Sequence, residues 1–166
     1  MSYRPPVDVA AVLDLLVSRG ATVGTAESLT GGRLAARISA VPGASRTYVG
    51  GVVAYATEVK QELLDVPDEL LARHGVVSAE CARAMAVGAR RLLGSTYALA
   101  TTGVAGPDRQ EDQPVGTVFV GVAGPAGVSV VSLELSGDRA AIQERTCDEA
   151  VAALGGILRG EEPGLR

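Results

Sequence analysis

Fourteen of the fifteen basic residues in this 166-residue chain are arginine, and the single lysine, Lys60, follows a β-branched run containing Gly50-Gly51. The difference is chemical: a desolvated or cation-crowded ammonium can give up its proton, whereas a guanidinium effectively never does. Lys60 is therefore the candidate general base. Ser45 lies fifteen residues earlier, in the loop Pro42-Gly43-Ala44-Ser45, where a hydroxyl taken alone is unremarkable. Tyr55, between the two in sequence, has a phenol that can pass a proton or orient a nucleophile. Each also has an ordinary reading, since most lysines are solvated, loop serines often stabilise turns, and strand tyrosines usually pack.

Two glycine-rich turns supply a second kind of chemistry. Ser28-Leu29-Thr30-Gly31-Gly32 and Thr102-Gly103-Val104-Ala105-Gly106 each follow a β-rich stretch. In open α/β sheets, ligands bind beyond the carboxyl ends of strands, where exposed amides can face an anion or a developing oxyanion. Neither turn is a nucleotide motif: the lysine of a P-loop is missing, and Gly103 with Gly106 gives half of a dinucleotide fingerprint. Metal chemistry lacks clustered ligands, because the chain has one histidine and two well-separated cysteines. His74, before Gly75, reads as a cation closing a helix. Cys81 and Cys147 fall within apolar helical patterns and read as buried free thiols.

Elements to position these residues follow from hydrophobic periodicity. The first is an amphipathic helix, with Val9, Val12, Leu13, Leu16 and Val17 at helical spacing before Gly20. A strand over 21–26, a helix over 33–40 and a strand over 48–55 come next. Helices follow over 59–64, 68–73 and 79–93, then a strand over 96–101. Segments 115–123 and 128–135 form a hairpin around Gly124-Pro125-Ala126-Gly127. A last helix starts near Gly137-Asp138, with Cys147, Ala150, Val151, Leu154 and Leu158 as its buried stripe. Residues 109–113 form a polar segment expected to be mobile. This order predicts a three-layer α/β/α sandwich with a mixed, partly parallel sheet, in one domain over residues 1–166. Its core spans about 8–159, and the tail from 160 to 166 frays.

Composition narrows the partners. A net charge of −4 and 3% aromatics do not suit a basic groove with stacking platforms, so no nucleic-acid partner is expected. No apolar run reaches the ~20 residues of a bilayer span, and the amino terminus lacks a signal-peptide pattern. A soluble, cytoplasmic protein without a membrane partner is expected, acting on a small molecule.

Taken together, these stretches resemble the CinA carboxy-terminal domain family. The likeness covers about Val9 to Leu158 and is carried by Thr25 to Gly32, Pro42 to Ser45, Gly51 to Tyr55 with Lys60, Thr102 to Pro107, Pro114 to Val118 and Ser136 to Arg139. It implies a cofactor-independent, metal-free amidohydrolase that converts nicotinamide mononucleotide to nicotinate mononucleotide and ammonia in pyridine nucleotide recycling. The alternative is a non-catalytic nucleotide-binding module tied to competence or DNA damage. Carried over by position, Ser45 is the nucleophile, Lys60 its base and Tyr55 an auxiliary proton carrier. Ser28, Thr30, Gly31, Gly32, Thr102, Gly103, Ala105 and Gly106 contact substrate. Arg139 or Arg145 meets the phosphate, with Arg145 assigned to the substrate site. The likeness also points to a homodimer. Three positions depart from the family's usual pattern: Ala44 where many relatives have a second serine, Arg109 in place of a glycine, and Gln113 in place of a lysine. Longer relatives add a domain similar to molybdopterin-binding proteins, linked to ADP-ribose pyrophosphatase activity; that activity is not expected here.

Overall fold

A computed structural model describes residues 5–160. The chain forms α1 (Val9–Ser18), β1 (Val23–Glu27), α2 (Arg33–Ser39), a 3-10 turn (Ala44–Arg46), β2 (Tyr48–Val53), α3 (Thr57–Leu64) and α4 (Asp68–His74). After these come α5 (Ala79–Leu93), β3 (Tyr97–Gly103), β4 (Thr117–Gly124), β5 (Gly127–Glu134) and α6 (Arg139–Leu158). The expected order holds throughout, and the 3-10 turn is an addition. Beyond Gly160, the tail expected to fray lies outside the described residues.

Five strands form one sheet in the order β2-β1-β3-β4-β5. β1 runs parallel to β2 and β3, whereas β4 is antiparallel to both β3 and β5. Every residue of β1 is buried, as expected of a strand covered on both faces. One face packs against α1, α2 and α6 through Leu16, Leu34, Leu99, Val120, Ile142 and Leu154. The other packs against α3, α4 and α5 through Leu64, Cys81, Met85, Ala89 and Ala100. The two cysteines thus lie on opposite faces of the sheet, both buried and free.

Local chemistry fixes the ends of the helices that matter for the site. Ser78 Oγ accepts from Cys81 N at 3.1 Å and starts α5, and Asp138 Oδ1 accepts from Ala141 N at 2.9 Å and starts α6. His74 does close α4, before Gly75 at φ 76°. Helix α3 can lie against α5 because residue 88 is glycine: a Cβ there would come 2.0 Å from Leu64 O. The Gly50-Gly51 pair marks a close approach as expected, since a Cβ at Gly51 would meet Thr25 Oγ1 at 2.2 Å. Residues 109–113 form a tied turn. Arg109 Nη2 donates to Asp112 O at 2.6 Å, and Gln110 bridges Gln113. The Glu111 carboxylate accepts from Val76 N and Val77 N, both at 3.0 Å.

Topology decides where a ligand can bind. From β1 the chain moves to β2 on one side, and β3 then lies on the other side of β1. The carboxyl ends of β1 and β3 therefore flank a switch point, where the two loops diverge and leave a crevice. β4 starts at this edge and β5 ends there, so the start of α6 also lies beside the crevice.

Candidate active site

The crevice is a cleft of about 410 Å³, lined by Ser28 and Leu29, Tyr55 and Lys60, Val76 and Val77, the segment 102–110, and Arg139. That is the size of a site for a small molecule. Lys60 reaches its floor from the first turns of α3 and is 1% exposed. Its Nζ lies 2.8 Å from Ser28 Oγ and donates to Ala54 O at 2.7 Å and Tyr55 O at 3.1 Å. The two carbonyls can only accept, so an uncharged amine spends both of its hydrogens on them, and its lone pair is left facing Ser28 Oγ.

Burial pushes the Lys60 ammonium below its ordinary value, against the opposing pull of Cys81, Glu111 and Glu58. Burial also raises the Cys81 thiol to about 11. Cys81 is therefore uncharged near neutrality and gives Lys60 no counter-charge there. Among the described residues no carboxylate pairs with the lysine directly, because its near partners are a hydroxyl and two carbonyls.

Ser28 owes its place to the end of β1. Its N–H donates to Thr101 O at 2.9 Å, and its carbonyl accepts from Gly31 N at 3.1 Å in a tight turn. Behind the turn, Glu27 is 1% exposed, and its carboxylate accepts from Leu34 N at 2.7 Å and Ala35 N at 3.1 Å. A carboxylate at the first amides of α2 offsets the helix dipole and fills the place an external anion would take. Of the two glycine turns expected to face a phosphate, the first is thus occupied from within at its helix end. Thr30 Oγ1 pairs with Thr101 Oγ1 at 2.8 Å, and Thr30, Gly31 and Gly32 do not line the cleft.

The second turn does line it. Thr102 Oγ1 donates to Val76 O at 2.6 Å, and Gly103, Ala105 and Gly106 form the wall. Among the described residues, the N–H groups of Leu29, Ala105 and Gly106 donate to no main-chain carbonyl. These amides are free to face a ligand oxygen. Arg139, at the first position of α6, donates from Nη1 to Gly106 O at 2.6 Å and from Nη2 to the Tyr55 hydroxyl at 2.8 Å.

Besides Thr30, Gly31 and Gly32, two further positions read from the sequence are corrected. Ser45 is exposed in the 3-10 turn just before β2, whereas Lys60 follows the end of that strand. Six residues of β2 at about 3.3 Å each separate the ends by roughly 17–20 Å. Ser45 and Lys60 therefore sit at opposite edges of the sheet and cannot share a proton. Arg145 is also outside the cleft: it is exposed on α6, with its Nε 3.5 Å from Glu149 Oε1. Arg139, the other arginine considered, is the one in the cleft. Tyr55 is present, with its carbonyl on Lys60 and its exposed hydroxyl on Arg139. Sequence reasoning had Ser28 at the substrate turn but not as the partner of Lys60. The available signal was its position as the first residue beyond a strand, directly over the switch point.

Fold and site together define a three-layer α/β protein in which a half-buried hydroxyl meets a buried amine at the carboxyl edge of the sheet. Residues 8–158 match the CinA C-terminal domain, and the chain belongs to that family. It is 53% identical over 149 residues to a CinA-like protein of Frankia casuarinae, covering 90% of this chain and 34% of that protein. A CinA-like protein of Geobacter sulfurreducens is 50% identical over 150 residues, covering 90% and 36%. The chain thus spans about a third of the length of these curated relatives. Among solved structures, a CinA superfamily protein from Klebsiella pneumoniae aligns with a TM-score of 0.88 at 34% identity, covering 93% of this chain and 99% of that one. The competence/damage inducible protein CihA from Agrobacterium tumefaciens aligns with a TM-score of 0.84 at 31% identity, covering 96% and 99%. No helix among the described residues is long and apolar enough to cross a membrane.

Proposed function

We propose that the chain is a serine amidohydrolase whose nucleophile is Ser28 and whose base is Lys60, acting on the carboxamide of nicotinamide mononucleotide. The observation that carries this reading is the 2.8 Å separation between Lys60 Nζ and Ser28 Oγ, with the remaining hydrogens of the amine taken by Ala54 O and Tyr55 O. The amine accepts the serine proton as Oγ attacks the amide carbon. The resulting ammonium then gives that proton to the departing nitrogen, the C–N bond breaks, and ammonia leaves an acyl ester on Ser28. Water attacks the ester, Lys60 takes its proton and returns it to Oγ, and the carboxylate product is released. The amides of Leu29, Ala105 and Gly106 are the candidate donors to the oxyanion of both steps. Arg139 suits a phosphate, because its planar fork matches that group's geometry.

Ammonia release, measured by a coupled assay on nicotinamide mononucleotide and a panel of small amides, tests the reading. Turnover of the mononucleotide that is abolished by Ser28→Ala and by Lys60→Arg is expected. Undiminished turnover in Ser28→Ala overturns the mechanism, and binding of the mononucleotide without release of ammonia leaves a ligand-holding module.

A further inference from the structure

We infer that Gln143 is a positioning residue for Ser28, holding from α6 the peptide that follows the nucleophile; this rests on the Ser28–Lys60 reading. The buried face of α6 carries Ile142, Cys147, Ala150, Val151, Leu154 and Leu158 together with two polar side chains, Gln143 and Thr146. Thr146 answers its own need, since its hydroxyl donates to Ile142 O at 2.7 Å within the helix. Gln143 is 4% exposed and reaches outward, donating from Nε2 to Leu29 O at 2.8 Å. A primary amide in an apolar layer is costly unless it is bonded, and leucine or methionine would fill the same space without that demand. The feature that distinguishes glutamine here is its donor.

That donor meets the part of the turn the turn itself leaves open. Ser28 O accepts from Gly31 N and Thr30 O accepts from Arg33 N, but Leu29 O receives no main-chain N–H among the described residues. Gln143 fills the gap. Ser28 is then fixed on its amino side by the bond to Thr101 O and on its carboxyl side by α6. Arg139 stands four residues earlier on the same helix and holds Tyr55 and Gly106 across the cleft. The first two turns of α6 thus set the nucleophile turn and the opposite wall from one rigid element. An error of a fraction of an ångström in the Ser28 hydroxyl is felt in the rate of attack and far less in ligand binding.

The test is the second-order rate at which a fluorophosphonate labels Ser28, followed by intact mass at a temperature where circular dichroism shows every variant folded. Gln143→Met is expected to label about tenfold more slowly. Thr146→Val, a change on the same buried face at a hydroxyl that bonds Ile142 O within the helix, is expected to keep the wild-type rate. In Gln143→Glu only the neutral acid can donate to Leu29 O, so its rate relative to wild type is expected to climb as pH falls. Equal labelling of Gln143→Met and wild type overturns the inference, and so does a matching slowdown in Thr146→Val, which would mean general loosening. A wild-type protein not labelled at Ser28, with Ser28→Ala as the blank, overturns the inference together with the reading beneath it.

Discussion

Both edges of the sheet carry serine and arginine and do different things with them. At the carboxyl edge a serine, a lysine and an arginine converge on a cleft, each fixed by bonds to main chain or buried side chains. At the amino edge of β2, Ser45 and Arg46 lie exposed on a 3-10 turn, and the buried hydroxyl of Ser95 just ahead of β3 has no hydrogen-bond partner among the described residues. What separates the edges is topology: the switch between β1 and β3 opens a crevice at one edge. A hydroxyl becomes a candidate nucleophile by its place in the sheet, whatever its neighbours in sequence.

The largest expected effect sets the two serines against each other. Ser28→Ala is expected to lower kcat for amide hydrolysis by about 10³ or more, and Ser45→Ala to leave it within about twofold. Steady-state ammonia release decides, and the reverse ranking breaks the contrast. Lys60→Met should come close behind in lost activity. It carries a second signature because the folded ammonium is held below its ordinary 10.5. Between that lowered value and 10.5 the unfolded chain binds more protons at this site than the folded one, so stability relative to Lys60→Met rises with pH across the window. Below the folded value the charged, buried amine is a burden that methionine removes. Urea unfolding of both proteins from neutral to alkaline pH checks the sign, and kcat is expected to rise over the same range as the base loses its proton.

Smaller effects sharpen the comparison along α6 and α2. Arg139→Ala is expected to raise KM for a phosphorylated amide by roughly 10–100-fold, while Arg145→Ala, six residues further along the helix, leaves KM unchanged. Initial-rate kinetics on the mononucleotide and on its unphosphorylated riboside separates loss of phosphate affinity from general damage. Glu27→Gln replaces one of two acceptors at the start of α2 with a donor and is expected to cost about 1–2 kcal/mol. The same exchange at the exposed cap Asp8→Asn should cost only a few tenths. Chemical denaturation of the pair measures both.

Much of this molecule was legible before any coordinates. Helical spacing from Val9 to Val17 and the stripe from Cys147 to Leu158 gave elements that stand nearly where expected, because burial of one face dictates both pattern and position. Lys60 was legible for another reason: in a chain that otherwise uses arginine, a residue able to lose its proton stands out. Ser45 misled because distance along a sequence ignores direction. A strand carries the chain straight from one edge of the sheet to the other, so residues flanking it are the ones it keeps apart. Gln143 was hidden because a lone amide within a helical pattern gives no sign of the carbonyl it meets 114 residues away. The tie between Glu111 and the amides of Val76 and Val77 was hidden in the same way, since a polar stretch without periodicity reads as loose until its contacts are seen.

Tyr55 touches Lys60 with its carbonyl and Arg139 with its hydroxyl. One residue therefore works as a ruler, holding the proposed base and the guanidinium a side chain's length apart. A compound can engage both only if its amide and its negative group are spaced to match. Free nicotinamide, which has no distal anion, would meet only one end of the gauge. On the proposed amidohydrolase reading, length becomes a criterion of choice in the cleft, and replacing Tyr55 is expected to blur it by letting the two marks drift.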